Sequence, residues 1–99
     1  MSNYRFTNKA VEDISAIWDY GYENWSESQA DKYYAQIIST CEKVAKHLSK
    51  GRNYRGIIDS LFGIKVNRHI IFYRYLKSGN IEVERILHEK MDLKNRILD

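Results

Sequence analysis

The run His69-Ile70-Ile71-Phe72-Tyr73-Arg74-Tyr75-Leu76 limits the possible folds of this chain more than any other segment. Read with the two-residue period of a strand, it puts Ile71, Tyr73 and Tyr75 on one face and Ile70, Phe72 and Leu76 on the other. A strand that is apolar on both faces belongs inside a sheet covered on both sides. One helical hairpin covers a single face, so the second face calls for the C-terminal tail, a protein partner, or both.

The flanking segments supply that architecture. Residues 3–7 alternate aromatic and polar side chains, as a short opening strand does. Asn8 is a helix-cap candidate, with Glu12 and Asp13 placed to complement the dipole of the first turn. Ala10, Ile14, Ile17, Trp18, Gly21 and Trp25 then form one helical stripe, and Gly21 marks a weak end. Ser26 and Gln29 have capping-box spacing and open a second helix. Its stripe runs Ala30, Tyr33, Tyr34, Ile37, Ile38, Cys41, Val44, Ala45, Leu48, and Gly51 is expected to take the left-handed cap that ends it. Residues 51–60 form a basic loop. Three strands are expected over residues 61–67, 69–76 and 81–88, the last two joined by the turn Lys77-Ser78-Gly79-Asn80. The tail holds Met91, Leu93, Ile97 and Leu98, enough for a short docking helix. The fold class is α+β, in the order β-α-α-β-β-β: a helical hairpin on a mostly antiparallel sheet, one domain over residues 1–99.

With 99 residues there is room for one core. The single cysteine excludes an internal disulfide and fits a reducing compartment. No apolar run nears the roughly 20 residues of a membrane helix, so a cytoplasmic protein without membrane association is expected. The net charge of +3 is unevenly placed. Residues 1–45 carry four Lys/Arg against seven Asp/Glu, whereas residues 46–77 carry eight Lys/Arg against Asp59 alone. A block this basic suggests an acidic partner, either nucleic acid or an acidic protein segment.

Arg85 stands in an apolar register, sharing a strand face with Ile81, Val83 and Leu87. It is either an ion-paired arginine at the sheet end, with Asp92 or a nearby glutamate as partner, or a cation aimed at a phosphate or carboxylate. In the second case Arg85→Ala reduces activity and leaves the fold intact. Arg74 lies on the Phe72 face, and Arg68 occupies the turn before His69. His69 and His88 open and close the apolar runs and read as hydrogen-bonded framework. Neither has zinc-site spacing, so no metal is expected, and no cofactor motif is recognisable. Cys41, Tyr33 and Tyr34 fall on a helical stripe and read as packing residues. There is no triad, phosphate-binding glycine loop or carboxylate pair to suggest an enzyme.

Several motifs together carry a resemblance. They are Tyr4-Arg5-Phe6-Thr7, Ala10, Asp13-Ile14 with Ile17-Trp18 and Tyr20, Trp25-Ser26, Gln29-Ala30, Tyr33-Tyr34 and Gly51-Arg52. The most specific are His69-Ile70-Ile71-Phe72-Tyr73-Arg74 and Arg85-Ile86-Leu87-His88 followed by Met91-Asp92. In this order and spacing the chain resembles the ParE branch of the RelE/ParE toxins of bacterial toxin–antitoxin modules. The resemblance implies a plasmid-stabilisation type of toxin that inhibits DNA gyrase and is silenced by a ParD-like antitoxin in a heteromeric complex, with a heterotetramer one stoichiometry it allows. It implies no sequence-specific DNA binding by this chain alone. The expected antitoxin- and target-binding surface is Arg68, His69, Tyr73, Arg74, Arg85, His88, Met91 and Asp92. Two departures stand out: Ser49-Lys50 where a proline often precedes the Gly-Arg pair, and Phe62 where an arginine is common, with Lys65 the replacement at a shifted register. The alternatives are a RelE-type ribosome-dependent messenger-RNA endonuclease, against which the tail after Asp92 has no aromatic or histidine, and a non-toxic member that only binds its antitoxin.

Overall fold

The computed structural model describes residues 3–98. Strand β1 (Tyr4–Phe6) leads into the helices α1 (Asn8–Asn24) and α2 (Glu27–Ala45). Four strands follow, β2 (Arg52–Asn53), β3 (Phe62–Val66), β4 (His69–Tyr75) and β5 (Ile81–His88), and α3 (Leu93–Leu98) closes the chain. They form one five-stranded sheet in the order β1-β5-β4-β3-β2. All neighbours are antiparallel except β1, which lies parallel to the first half of β5. The strand–hairpin–sheet order expected from the sequence is present. The small strand β2, within the segment expected to be loop, is an addition to it.

The helix starts follow side-chain capping. Thr7, not Asn8, caps α1, its hydroxyl accepting from the Ala10 N–H, and Ser26 caps α2 by accepting from the Gln29 N–H. Gly21 does not mark a fraying end. A Cβ there would stand 3.3 Å from Ala30, so the glycine lets the two helices approach closely. Nor does α2 run on to Gly51. His47 takes the left-handed conformation at φ 61, and the Leu48 and His47 N–H groups bond back to the Lys43 and Val44 carbonyls as in a Schellman cap. Leu48 is consequently 73% exposed instead of continuing the buried stripe.

The main core lies between the hairpin and one sheet face. Ala10, Ile14, Ile37, Cys41 and Val44 from the helices meet Ile71, Tyr73, Ile81, Val83 and Ile86 from the sheet. On the opposite face Leu61, Ile70, Phe72 and Leu87 form a second buried cluster, against which Tyr54, Leu93 and Ile97 pack. The chain therefore covers its second face with α3 and the segment around Tyr54–Leu61. Burying Phe72 or Leu87 contributes ~1.5–3 kcal/mol each, which favours covering this face.

A β-bulge in β5 decides where the charged residues go. Phe72 pairs with Arg85 and Tyr73 with Val83, so Glu84 is the extra residue. This switch breaks the shared face expected for Arg85: Ile81, Val83 and Ile86 enter the main core, while Leu87 enters the second cluster.

Candidate functional site

The eight residues expected to form one binding surface are dispersed: three meet at one end of the sheet, Tyr73 and Arg85 turn inward, Arg74 stands apart on β4, and Met91 and Asp92 are exposed before α3. The first place is the end of the sheet at the β3–β4 turn. Asn67, at φ 56, makes the turn, and Arg68 next to it is exposed. Immediately inside, His69 pairs with His88 across the β4–β5 ladder, their rings edge to face at 5.3 Å. Each ring is held by a local hydrogen bond. The Tyr33 hydroxyl donates to the Val66 carbonyl at 2.8 Å and lies 2.7 Å from His69 Nδ1. A hydroxyl has one proton, and with it spent on Val66, neutral His69 donates from Nδ1 and keeps its lone pair on Nε2. His88 Nδ1 instead accepts from the Lys90 N–H at 3.1 Å. Burial, then the neighbouring His88, push the His69 pKa down. Lys65 is exposed and bridges to Glu89 at 3.2 Å. Both histidines are thus hydrogen-bonded framework, as expected, and Arg68 is the exposed cation beside them.

The second place is the interior. Tyr73, expected on the binding surface, is fully buried, and its hydroxyl accepts from the Gly51 N–H at 2.8 Å. Desolvation moves its pKa up to about 12. Arg85, also expected on that surface, is only 15% exposed and grips Asp13 of α1 with two nitrogens, at 2.7 and 3.0 Å. Its third nitrogen donates to the Arg96 carbonyl of α3 at 2.8 Å, and Asp13 also accepts from the Ile86 N–H. Arg85 therefore ties together both layers that sandwich the sheet. The ion-paired reading of Arg85 is the one realised, but its partner is Asp13, not Asp92. Asp92 holds the start of α3, accepting from the Asn95 amide at 2.6 Å. Met91 is 42% exposed. Phe62 stacks on Tyr73 and meets Tyr75 edge to face, so a ring packed on the core occupies the position where an arginine is common. Cys41 is core, its thiol pushed up to about 12 by burial.

The third place is a charge ladder the sequence reading missed. Arg5 on β1, Glu82 on β5 and Arg74 on β4 lie side by side, with Glu82 2.8 Å from Arg5 and 3.3 Å from Arg74. Glu84, the bulge residue, has Arg74 Nε at 3.4 Å, but its buried Oε2 has no aligned hydrogen bond. Desolvation first, then Glu82, raise the Glu84 carboxyl to about 7. The neighbouring Glu84 first, then Arg5 and Arg74, hold the Glu82 carboxyl below the usual range. Arg74 and Glu84 also line a groove of about 310 Å³ together with Thr7, Lys9, Ser60 and Ile97.

The titration has a definite sign. Between pH 4.5 and 7 the folded chain holds a proton on Glu84 that the unfolded chain releases, so this group's stabilisation is complete below 4.5 and lost as pH rises through 7. His69, with its pKa lowered, works in the opposite direction and loses stability as pH falls below 6.5. Glu84→Gln should flatten the first slope, by on the order of 1–2 kcal/mol after allowing for partial exposure, and leave the second. Urea unfolding at a series of pH values measures this. An unchanged slope in the variant would show that Glu84 does not titrate in this window.

Comparison with known proteins gives the family and the fold. The family model for the ParE toxin of the type II toxin–antitoxin system parDE matches residues 4–93. The chain belongs to the ParE toxin family. Toxin ParE1 of Mycobacterium tuberculosis is 28% identical over 96 residues, covering 97% of this chain and 98% of that protein. Toxin ParE1 of Caulobacter vibrioides is 28% identical over 94 residues, covering 95% and 96%. Among solved structures, the chromosomal ParDE system of P. aeruginosa superposes with a TM-score of 0.74 at 20% identity, covering 89% of this chain and 96% of that one. The RelBE2 toxin–antitoxin complex of Mycobacterium tuberculosis gives 0.64 at 16% identity, over 88% and 90%. At these identities the two structures establish the shared fold.

In this ParE-family chain the sequence reading missed Asp13 as an ion-pair partner, 72 residues from Arg85, and the Glu82–Glu84 pair, which meets Arg74 across the β4–β5 hairpin and Arg5 across the sheet. Asp13 lies one position before the buried Ile14, and its only visible signal was acidity near a helix start. The Glu82-x-Glu84 spacing was visible as two carboxylates, but the bulge that joins them to Arg74 was not.

Proposed function

We propose that this chain is the toxin of a parDE-type module, that it inhibits DNA gyrase by binding and not by catalysis, and that a ParD-like antitoxin neutralises it in a heteromeric complex. The family match along residues 4–93 carries the reading. Relatives of the same length bear the name ParE, which favours the gyrase poison over the RelE-type nuclease. The sheet end supports it physically. Among the described residues no hydrogen bond or ion pair engages the exposed Arg68 guanidinium, so it can grip a carboxylate or phosphate without breaking an internal contact. The two imidazoles beneath it are held by Tyr33 and Lys90, which suits a rigid platform.

Expression of the chain alone tests the proposal. Accumulation of gyrase-dependent DNA cleavage with intact messenger RNA supports it, and co-expression of the antitoxin should restore growth. Codon-positioned cuts in messenger RNA would establish the nuclease instead, and harmless expression of a folded chain would identify a non-toxic antitoxin-binding member. Arg68→Glu should lower gyrase inhibition by about tenfold or more while the melting temperature stays unchanged, the scale of a lost charged contact. Full inhibition by that variant would remove Arg68 from the contact surface.

A further inference from the structure

The outer side of the helical hairpin has a composition found nowhere else in the chain. Residues 10–31 contain six carboxylates, Glu12, Asp13, Asp19, Glu23, Glu27 and Asp31, and not one lysine or arginine. Arg85 uses Asp13, and the other five remain on the hairpin. Along the same stretch Val11, Trp18 and Tyr22 are spaced seven and four residues apart, which sets them in one line along α1. Trp25, just past the helix end, continues the spacing. Val11 is 48% exposed, Tyr22 53% and Trp25 73%. The Trp18 and Tyr22 rings stack at 5.3 Å and 15°. The indole N–H of Trp18 is anchored on Asp31 of α2 at 2.9 Å. The half-buried Trp18, fixed by its hydrogen bond, holds the exposed Tyr22 ring by stacking, so that ring loses little entropy when a partner lands on it, and Trp and Tyr dominate the energetics of such contacts.

We infer that this line of α1 is a docking surface for a helical polypeptide segment that carries an apolar stripe flanked by lysine and arginine. The charge excludes nucleic acid, because phosphates would face five carboxylates with no cation between them. It also selects for cations in a protein partner, which gain ion pairs at the rim and cation–π contacts with the exposed indole and phenol faces. The distance from Val11 to Trp25, about 21 Å at 1.5 Å per residue, corresponds to about 14 residues of partner helix. A second copy of this chain is a poorer fit. Its basic block, with Lys46, Lys50, Arg52 and Arg55, lies after α2 on loop and on the short strand β2, while Lys32 and Lys43 on α2 stand singly, eleven residues apart. Docking here is independent of the gyrase reading, and the two can fail separately.

The two tryptophans of the chain, Trp18 and Trp25, both lie on this line, so intrinsic fluorescence reports occupancy directly. The full-length chain is titrated with a synthetic amphipathic peptide of about 14 residues, leucine on one face and arginine and lysine on the other. The control replaces every cation of the peptide with glutamate. A saturable change in tryptophan emission is expected with the basic peptide alone, weakening several-fold as salt rises from low ionic strength to about 0.5 M. Tyr22→Ser and Glu23→Lys should each weaken binding by about tenfold or more with unchanged circular dichroism. Tyr20→Ser removes a side chain that is 63% exposed but on the opposite side of α1, and should leave binding unchanged. Equal response to the acidic peptide, equal loss with Tyr20→Ser, or no response at all would overturn the proposal. So would concentration-dependent self-association abolished by Tyr22→Ser without peptide binding, which would assign the surface to a second copy.

Discussion

Arg85→Ala should destabilise the folded chain by about 3–5 kcal/mol, the cost of removing one partner from a largely buried ion pair. The loss extends beyond a single contact. Asp13, 13% exposed, would lose both guanidinium nitrogens while still accepting from the Ile86 N–H, and the Arg96 carbonyl would lose its Arg85 donor. Asp13 also caps the half of β5 that continues past the β1 pairing at Val83, so its displacement frees a sheet edge. For a domain of this size such a loss lowers the melting temperature by more than about 12 °C. Arg85→Lys should recover only part of it, since an ammonium cannot hold both carboxylate oxygens and the Arg96 carbonyl in one plane. Thermal and urea unfolding of Arg85→Ala, Asp13→Ala and the double variant measure the coupling, and the double variant should be less destabilised than the sum. An Arg85→Ala chain that melts with the parent would release this arginine for the binding role expected from the sequence. Activity assays on Arg85 variants therefore need a stability measurement beside them, because a fall in toxicity would follow from unfolding alone.

The second large effect is expected from one methyl group. A Cβ at Gly51 would lie 2.4 Å from the Gly63 carbonyl oxygen and 2.7 Å from its carbon. Both are backbone atoms of β3, so no side chain can turn aside to make room. Gly51→Ala must push β2 away from β3, and it also disturbs the Gly51 N–H that satisfies the buried Tyr73 hydroxyl. Overpacking together with a buried hydroxyl left without its donor should cost about 2–4 kcal/mol. Tyr73→Phe serves as the comparison, deleting only the hydrogen bond at about 1 kcal/mol. Denaturant midpoints of the two variants separate the terms. Equal midpoints would show that the β2–β3 edge yields to a methyl group and that Gly51 is kept for another reason.

The core was largely legible because side-chain period reports which faces are buried. Ile71 and Tyr73 against Ile70 and Phe72, and Ala30, Ile37, Cys41 and Val44 on α2, are placed as their spacing requires. The candidate site was less so. Reading Arg85 with a strict period of two put it beside Ile81 and Val83, whereas the extra residue at Glu84 moves it onto the other register. Nothing in residues 81–88 announces a bulge. It is favoured by contacts made from elsewhere, the Thr7 hydroxyl on the Glu84 carbonyl and Asp13 on the Ile86 N–H. Similarly, Tyr73 followed the apolar period correctly. It entered the expected binding surface with the His69–Arg74 motif that carries the family resemblance, whereas the structure buries it in the main core beneath the helical hairpin.

By itself, then, the sequence determined the order of the main helices and strands, the two-sided middle strand, the segregation of acidic hairpin from basic loop, and the family. Each depends on short-range period, on composition, or on motifs read in order along the chain. Only the tertiary structure decided which cations are available. Arg68 stands exposed, Arg74 is shared between Glu82 and Glu84, and Arg85 is consumed by Asp13. An arginine's role depends on the carboxylate within about 3 Å of it, and that partner lies 72 residues away for Arg85. Such a pairing is created by packing α1 across β5, a contact that no local pattern encodes.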